Sequence, residues 1–191
     1  MLKVRIIPCL DIIKNKVVKG VNFKNIKVLG DPVYLARKYS DNGADELCML
    51  DIKASHEKRK TFLKTVEAIA KVIDIPLTVG GGVSDIKDIT TLLNAGADKV
   101  SINTTAVLKP NLIKIASLKH GSQCIVVAID GKRYGKKMLV TIKGGREKTN
   151  KTVVSWAKNV QSLGAGELLV TSMDTDGIQT GFDKEMLIVL N

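Results

Sequence analysis

The sequence predicts an α/β chain of the (β/α)8-barrel type, on three observations. Short runs rich in Val, Ile and Leu alternate six times with longer segments of helical period. Nothing interrupts that alternation, so parallel strands joined by helical crossovers are the default arrangement. The word Gly43-Ala44-Asp45-Glu46-Leu47 returns 121 residues later as Gly164-Ala165-Gly166-Glu167-Leu168, and two strand-end aspartates, Asp11 and Asp130, lie 119 residues apart. A shared period across four βα units fits two half-barrels joined into one ring; a doubly wound sheet gives no reason for it. A third copy, Gly96-Ala97-Asp98-Lys99-Val100, falls between the two.

The elements follow in order. "VRIIPCLD" (4–11) reads as a strand, followed by a loop rich in Lys and Asn. "PVYLARKYSDNG" (32–43) is a helix stopped at Asn42-Gly43, and "ELCMLDI" (46–52) is the next strand. In "KTFLKTVEAIAKVI" (60–73), Leu63, Val66, Ile69, Ala70 and Ile73 keep helical spacing. Strand "IPLTVGGG", helix "DIKDITTLLNAG", strand "DKVSIN" and helix "PNLIKIASLKHG" cover 75–121. "CIVVAID" (124–130) begins the second half, with "MLVTIKGG" (138–145) suggesting a hairpin. Helix "VVSWAKNVQSLGAG", strand "ELLVTSM" and a last helix from Asp183 complete the chain.

The 191 residues fit one domain, with one half-barrel over about 1–120 and a second from about 121. The second-half counterparts of Gly80, Gly81 and Gly82 would fall beyond residue 191. A complete barrel needs roughly 250 residues. The expectation is therefore about six βα units, with units seven and eight absent and the activity of this chain by itself in doubt.

Composition excludes several classes. No apolar run reaches the roughly 18 residues of a membrane span, and the N-terminus carries charge inside its apolar stretch, unlike a signal peptide. The net charge of +11 comes from lysines scattered along the chain, with aromatics at 4% and no nucleic-acid motif. Nucleic acid is thus excluded as a partner, whereas a polyanionic small substrate stays open. Cys9, Cys48 and Cys124 sit singly in apolar runs, which reads as buried thiols of a cytoplasmic protein, with no metal site.

Barrel chemistry sits at the C-terminal ends of strands. Asp11 and Asp130 end strands one and five, opposite each other in an eight-strand ring, and such a pair suits general acid and base work. "TVGGG" (78–82), ending in Gly82, and "SINT" (101–104), with Asn103 and Thr104, end strands three and four. Glycine there lets backbone N–H groups approach a phosphate. Asp176-Gly177 echoes this after strand six. At the other ends, Arg5, Glu46, Lys99 and Glu167 open four strands with alternating charge, which by spacing alone reads as a stabilising salt-bridge layer. His56 and His120 have no triad partner by spacing, and Trp156 reads as core.

As a set, "CLDI", "VVKGVNF", "GDPV", "ELCMLDIKAS", "EKRKTFL", "TVGGGV", "GADKVSINT", "VVAIDGKR" and "GELLVTSMDTDGIQTGFD" resemble the cyclase subunits of imidazole glycerol phosphate synthase, from Leu2 to about Asp183. The resemblance implies a lyase of histidine biosynthesis without metal or organic cofactor. It would take ammonia from a glutaminase partner in a heterodimer and react it with a phosphoribulosyl-formimino ribonucleotide bearing two phosphates. The products would be imidazole glycerol phosphate and an aminoimidazole carboxamide ribotide. It also implies Asp11 and Asp130 as the acid/base pair and Lys19 in a mobile loop after strand one. Gly82, Asn103 and Thr104 fall on one phosphate site, and Asp176 and Gly177 on part of the other. Arg5, Glu46, Lys99 and Glu167 fall on a charged gate for ammonia. Alternatives are the sister sugar isomerase of the same pathway, a cyclase-like paralogue that passes ammonia to a sugar, and a non-catalytic truncated fragment.

Overall fold

The protein, seen in a computed structural model, is described over residues 4–21, 24–54 and 62–190. It divides into two compact units, residues 1–19 with 27–101 and residues 20–26 with 102–191. Parallel strands alternate with helices in both, as the sequence predicts.

The strands up to residue 102 are β1 (Cys9–Ile13), β2 (Lys16–Val21), β3 (Lys24–Gly30), β4 (Leu47–Asp51), β5 (Leu77–Gly80) and β6 (Lys99–Ile102), of which β1, β4 and β5 lie wholly in the first unit. Their order is β3-β2-β1-β4-β5-β6. Helices α1 (Pro32–Asp41), α2 (Leu63–Ala70) and α3 (Ile86–Asn94) intervene. Pairings β1–β4, β4–β5 and β5–β6 are parallel. Side chains alternate across a strand, so the register fixes two faces. On one, Leu10, Ile12, Leu47, Met49, Leu77, Val79 and Val100 are buried with Val66, Ile69 and Ile89 of the helices. The other carries two cross-strand rows: Cys9, Cys48, Thr78 and Lys99, then Asp11, Leu50, Gly80 and Ser101.

The second unit contains α4 (Thr104–Leu108), α5 (Asn111–His120), β7 (Ile125–Tyr134), β8 (Lys137–Ile142), β9 (Glu147–Thr152), α6 (Val153–Ser162), β10 (Glu167–Ser172) and α7 (Lys184–Leu190). β10 pairs parallel with β7, and β7, β8 and β9 form an antiparallel meander. Ile125, Val127, Ile129, Val140, Ile113, Val160 and Trp156 form its core, so the reading of Trp156 holds.

The recurring Gly-Ala words have one local cause. Gly43, Gly96 and Gly164 all adopt positive φ just past a helix. Each glycine N–H bonds the carbonyl three residues back, to Ser40, Leu93 and Gln161, and each alanine N–H bonds five back, to Tyr39, Leu92 and Val160. This is the helix-terminating Schellman arrangement, and an L side chain is costly at its left-handed residue. The next residue then joins the preceding strand: Asp45 N–H donates to Ile6, Asp98 N–H to Leu77 and Gly166 N–H to Ile125.

Two expectations fail here. The polar loop after strand one is instead β2 and β3; Lys14 and Asn15, at φ 46° and 59°, form the tight turn that folds β2 antiparallel onto β1. Asp11 and Asp130 are not terminal strand residues, because β1 and β7 run on past them into antiparallel hairpins.

Candidate functional site

Although neither aspartate ends a strand, each occupies the second-last rung of a parallel ladder. Asp11 pairs with Leu50 before the final pair Ile12–Asp51, and Asp130 pairs with Thr171 before Gly131–Ser172. Each is also bonded on its other side into the hairpin that follows, opposite Val18 and Thr141 respectively. The equivalence extends downward: Glu46 lies four residues before Leu50, and Glu167 four before Thr171. The period read from the sequence is thus a repeat of register as well as of letters.

Asp130 is buried. Asn103, following β6, donates from Nδ2 to Asp130 Oδ2 at 2.8 Å. Thr141 on β8 donates to the Asp130 backbone carbonyl at 3.1 Å, fixing the strand beneath the carboxylate. Thr104 opens α4, and its Oγ1 accepts from Lys143 N–H at 2.9 Å, tying the helix start to the turn after β8. Asp176 and Gly177 lie in the turns after β10; Asp176 N–H bonds Ser172 O at 2.9 Å, and Gly177 has φ 74°.

In the first unit Asp11 is half-buried, and Lys19 Nζ stands 3.7 Å from its Oδ2. Lys19 belongs to β2 and not to a loop, one residue past Val18, the register partner of Asp11. Gly82, with φ 70°, follows Gly81, whose absent Cβ would lie 2.3 Å from Asp51 O. Close backbone approach alone therefore requires glycine at 81.

The charged layer is built around Glu46, buried at 2% exposure. Its Oε2 accepts from Arg5 Nη1 at 2.9 Å and Lys99 Nζ at 2.7 Å, and its Oε1 from Thr78 Oγ1 at 2.6 Å. The first row, with Lys99 and Thr78, thus lies directly below the row containing Asp11. Glu167 opens β10 in the second unit, in register with Val126.

The cysteines depart from expectation: Cys48 is buried, Cys124 half-buried and Cys9 exposed, since β1 starts at Cys9. A hydrogen bond with neighbouring Cys9, reinforced by burial, pushes the Cys48 thiol well up. His120 closes α5, and His56 lies outside the described residues.

Several residues escape a reading of the sequence alone. Thr78 reaches Glu46 from 32 residues away, and Thr141 meets the Asp130 carbonyl across the β7–β8 hairpin. Asp51 accepts from Ala54 N–H at 3.1 Å and shapes the turn after β4. Arg133 reaches Asp183 with both terminal nitrogens, at 2.6 and 2.7 Å. "VAIDGKR" and "GFD" contain both residues, but no spacing rule pairs them.

Parallel strands alternating with helices, with an aspartate on the second-last rung of two parallel ladders, define a protein of the (β/α)-barrel class. The chain belongs to the histidine biosynthesis protein family, whose model matches residues 5–191. It is 56% identical over 182 residues to the imidazole glycerol phosphate synthase subunit HisF of Campylobacter concisus, covering 95% of this chain and 72% of that protein. The protein of the same name from Exiguobacterium sp. is 55% identical over 187 residues, 98% of this chain and 73% of its own. That from Prochlorococcus marinus is 55% identical over 186 residues, with 96% and 73% covered. Among the described residues no helix is long and apolar enough to cross a membrane.

Proposed function

We propose that this protein is the cyclase subunit of imidazole glycerol phosphate synthase. It uses ammonia to convert phosphoribulosyl-formimino aminoimidazole carboxamide ribonucleotide into imidazole glycerol phosphate and aminoimidazole carboxamide ribotide. The observation that carries this reading is the equivalent placement of Asp11 and Asp130, each on the second-last parallel rung above an acidic residue. Two half-barrels, one per aspartate, are the organisation this equivalence supports.

Ring closure moves protons on a flat, electron-rich intermediate. Asp130, oriented by Asn103, and Asp11, beside the Lys19 cation, supply two carboxylates with different surroundings, as an acid and base require. Backbone near Gly82, Asn103 and Thr104 receives one substrate phosphate, and the Asp176-Gly177 turn the other. Anchoring both ends holds the reacting middle in place. The protein works as one subunit of a complex whose partner is a glutaminase, and Arg5, Glu46, Lys99 and Glu167 admit its ammonia.

The test supplies ammonium salt in place of glutamine and follows both products. It is run on the chain alone and with the part of a relative that this chain does not match supplied as a second polypeptide. Formation of both products in either arm is expected. Isomerised substrate without ring closure, or no conversion in both arms, overturns the reading.

A further inference from the structure

Arg133 lies three residues beyond Asp130 on β7 and grips the segment that leaves β10 at two points. Its backbone N–H donates to Asp174 Oδ2 at 2.9 Å. Its guanidinium forks onto Asp183, with Nη1 at 2.6 Å from Oδ2 and Nη2 at 2.7 Å from Oδ1. Nη2 also reaches Glu185 at 3.1 Å. The Asp183 side chain is 4% exposed and that of Arg133 34%, so this is a two-point ion pair with its acidic end buried and its basic end open to solvent. Its remaining acceptor capacity is filled by Ser172 Oγ at 2.7 Å and by Met186 N–H at 3.1 Å, which caps α7. Met186 in turn packs beside Gly131, where an added Cβ would lie 3.3 Å from its sulfur. Between the two fixed points lies a turn-rich stretch with positive φ at Gly177, Gln179 and Gly181, held internally by short-range backbone bonds such as Ile178 N–H to Thr175 O.

We infer that Arg133 is a positioning residue: by holding Asp174 and Asp183 it sets where the Asp176-Gly177 turn meets a substrate phosphate, relative to Asp130 on its own strand. The inference rests on the cyclase reading for the identity of the ligand, but the tether itself is independent of it. A fork is required, because lysine offers a single charge centre and cannot hold both Asp183 oxygens in fixed geometry.

The test compares wild type, Arg133→Met and Arg133→Lys in the ammonia-dependent reaction, together with melting temperature and amide hydrogen exchange over 174–182. For Arg133→Met we expect KM for the bis-phosphate substrate to rise about tenfold or more while kcat changes less, with faster exchange in that segment. Arg133→Lys should fall between. A purely structural arginine would lower kcat through loss of folded protein and leave KM unchanged, and that result overturns the inference. If Arg133→Met does not fold, Arg133→Lys decides by the same KM criterion. If wild type shows no cyclisation, the functional reading fails separately; unchanged exchange in Arg133→Lys would then overturn the tether, and faster exchange would support it.

Discussion

Asn103 Nδ2 lies 2.8 Å from Asp130 Oδ2, so the amide that follows β6 orients the buried carboxylate of β7. Asn103→Ala removes that donor and leaves a less well-solvated carboxylate. Ammonia-dependent turnover per folded protein should fall about tenfold or more, with a modest drop in melting temperature from the buried carboxylate left without its donor. Turnover equal to wild type would remove Asn103 from the arrangement around Asp130.

The Glu46 layer predicts uncoupling. Lys99→Met removes one of the two cations on Glu46 Oε2 without touching Asp11 or Asp130. With the glutaminase partner present, glutamine-dependent turnover should fall more than ammonia-dependent turnover. Equal losses that track a lower melting temperature would make the layer a stabilising one only.

The Arg133–Asp183 pair predicts acid sensitivity. The Arg133 hydrogen bonds hold the Asp183 carboxyl well below the usual carboxylate range, against the opposing effect of burial. The unfolded chain takes up that proton near pH 4, before the folded protein does. The pair's contribution is thus full above about pH 4 and is lost progressively as pH falls. Asp183→Asn should be less stable at pH 7, and the gap to wild type should narrow toward pH 3. A gap that stays constant in urea melts across this range would contradict the assignment.

Glycine substitutions separate conformational strain from collision. Gly43 has φ 82° and open space around its absent Cβ, so Gly43→Ala should cost about 1 kcal/mol from the left-handed backbone alone. Gly81→Ala adds a clash at 2.3 Å with Asp51 O and should cost clearly more. Equal urea midpoints for the two variants would mean that the Asp51 turn yields freely.

Much of this was legible in the chain. Period and alternation indicated six parallel strands, though the first spans Cys9–Ile13 and not 4–11, and the Gly-Ala words marked three helix ends, because a left-handed terminus demands glycine whatever the tertiary context. The hairpin after β1 was not legible: Lys14-Asn15 is a weak turn word, and the polar residues of β2 and β3 hide their alternation. Arg5, Glu46 and Lys99 were visible as strand-opening charges, but Thr78 joins them only through the register of β4, β5 and β6. The Arg133 fork was invisible for the same reason, since 50 residues separate its ends and only folding brings them together.

The central claim is that Asp11 and Asp130 act as the acid and base of ring closure. The most direct measurement is ammonia-dependent turnover and substrate affinity for Asp11→Asn and Asp130→Asn. The account predicts that each loses at least about 10²-fold in kcat while affinity for the bis-phosphate substrate stays near that of wild type. Near-normal turnover in either variant would contradict it.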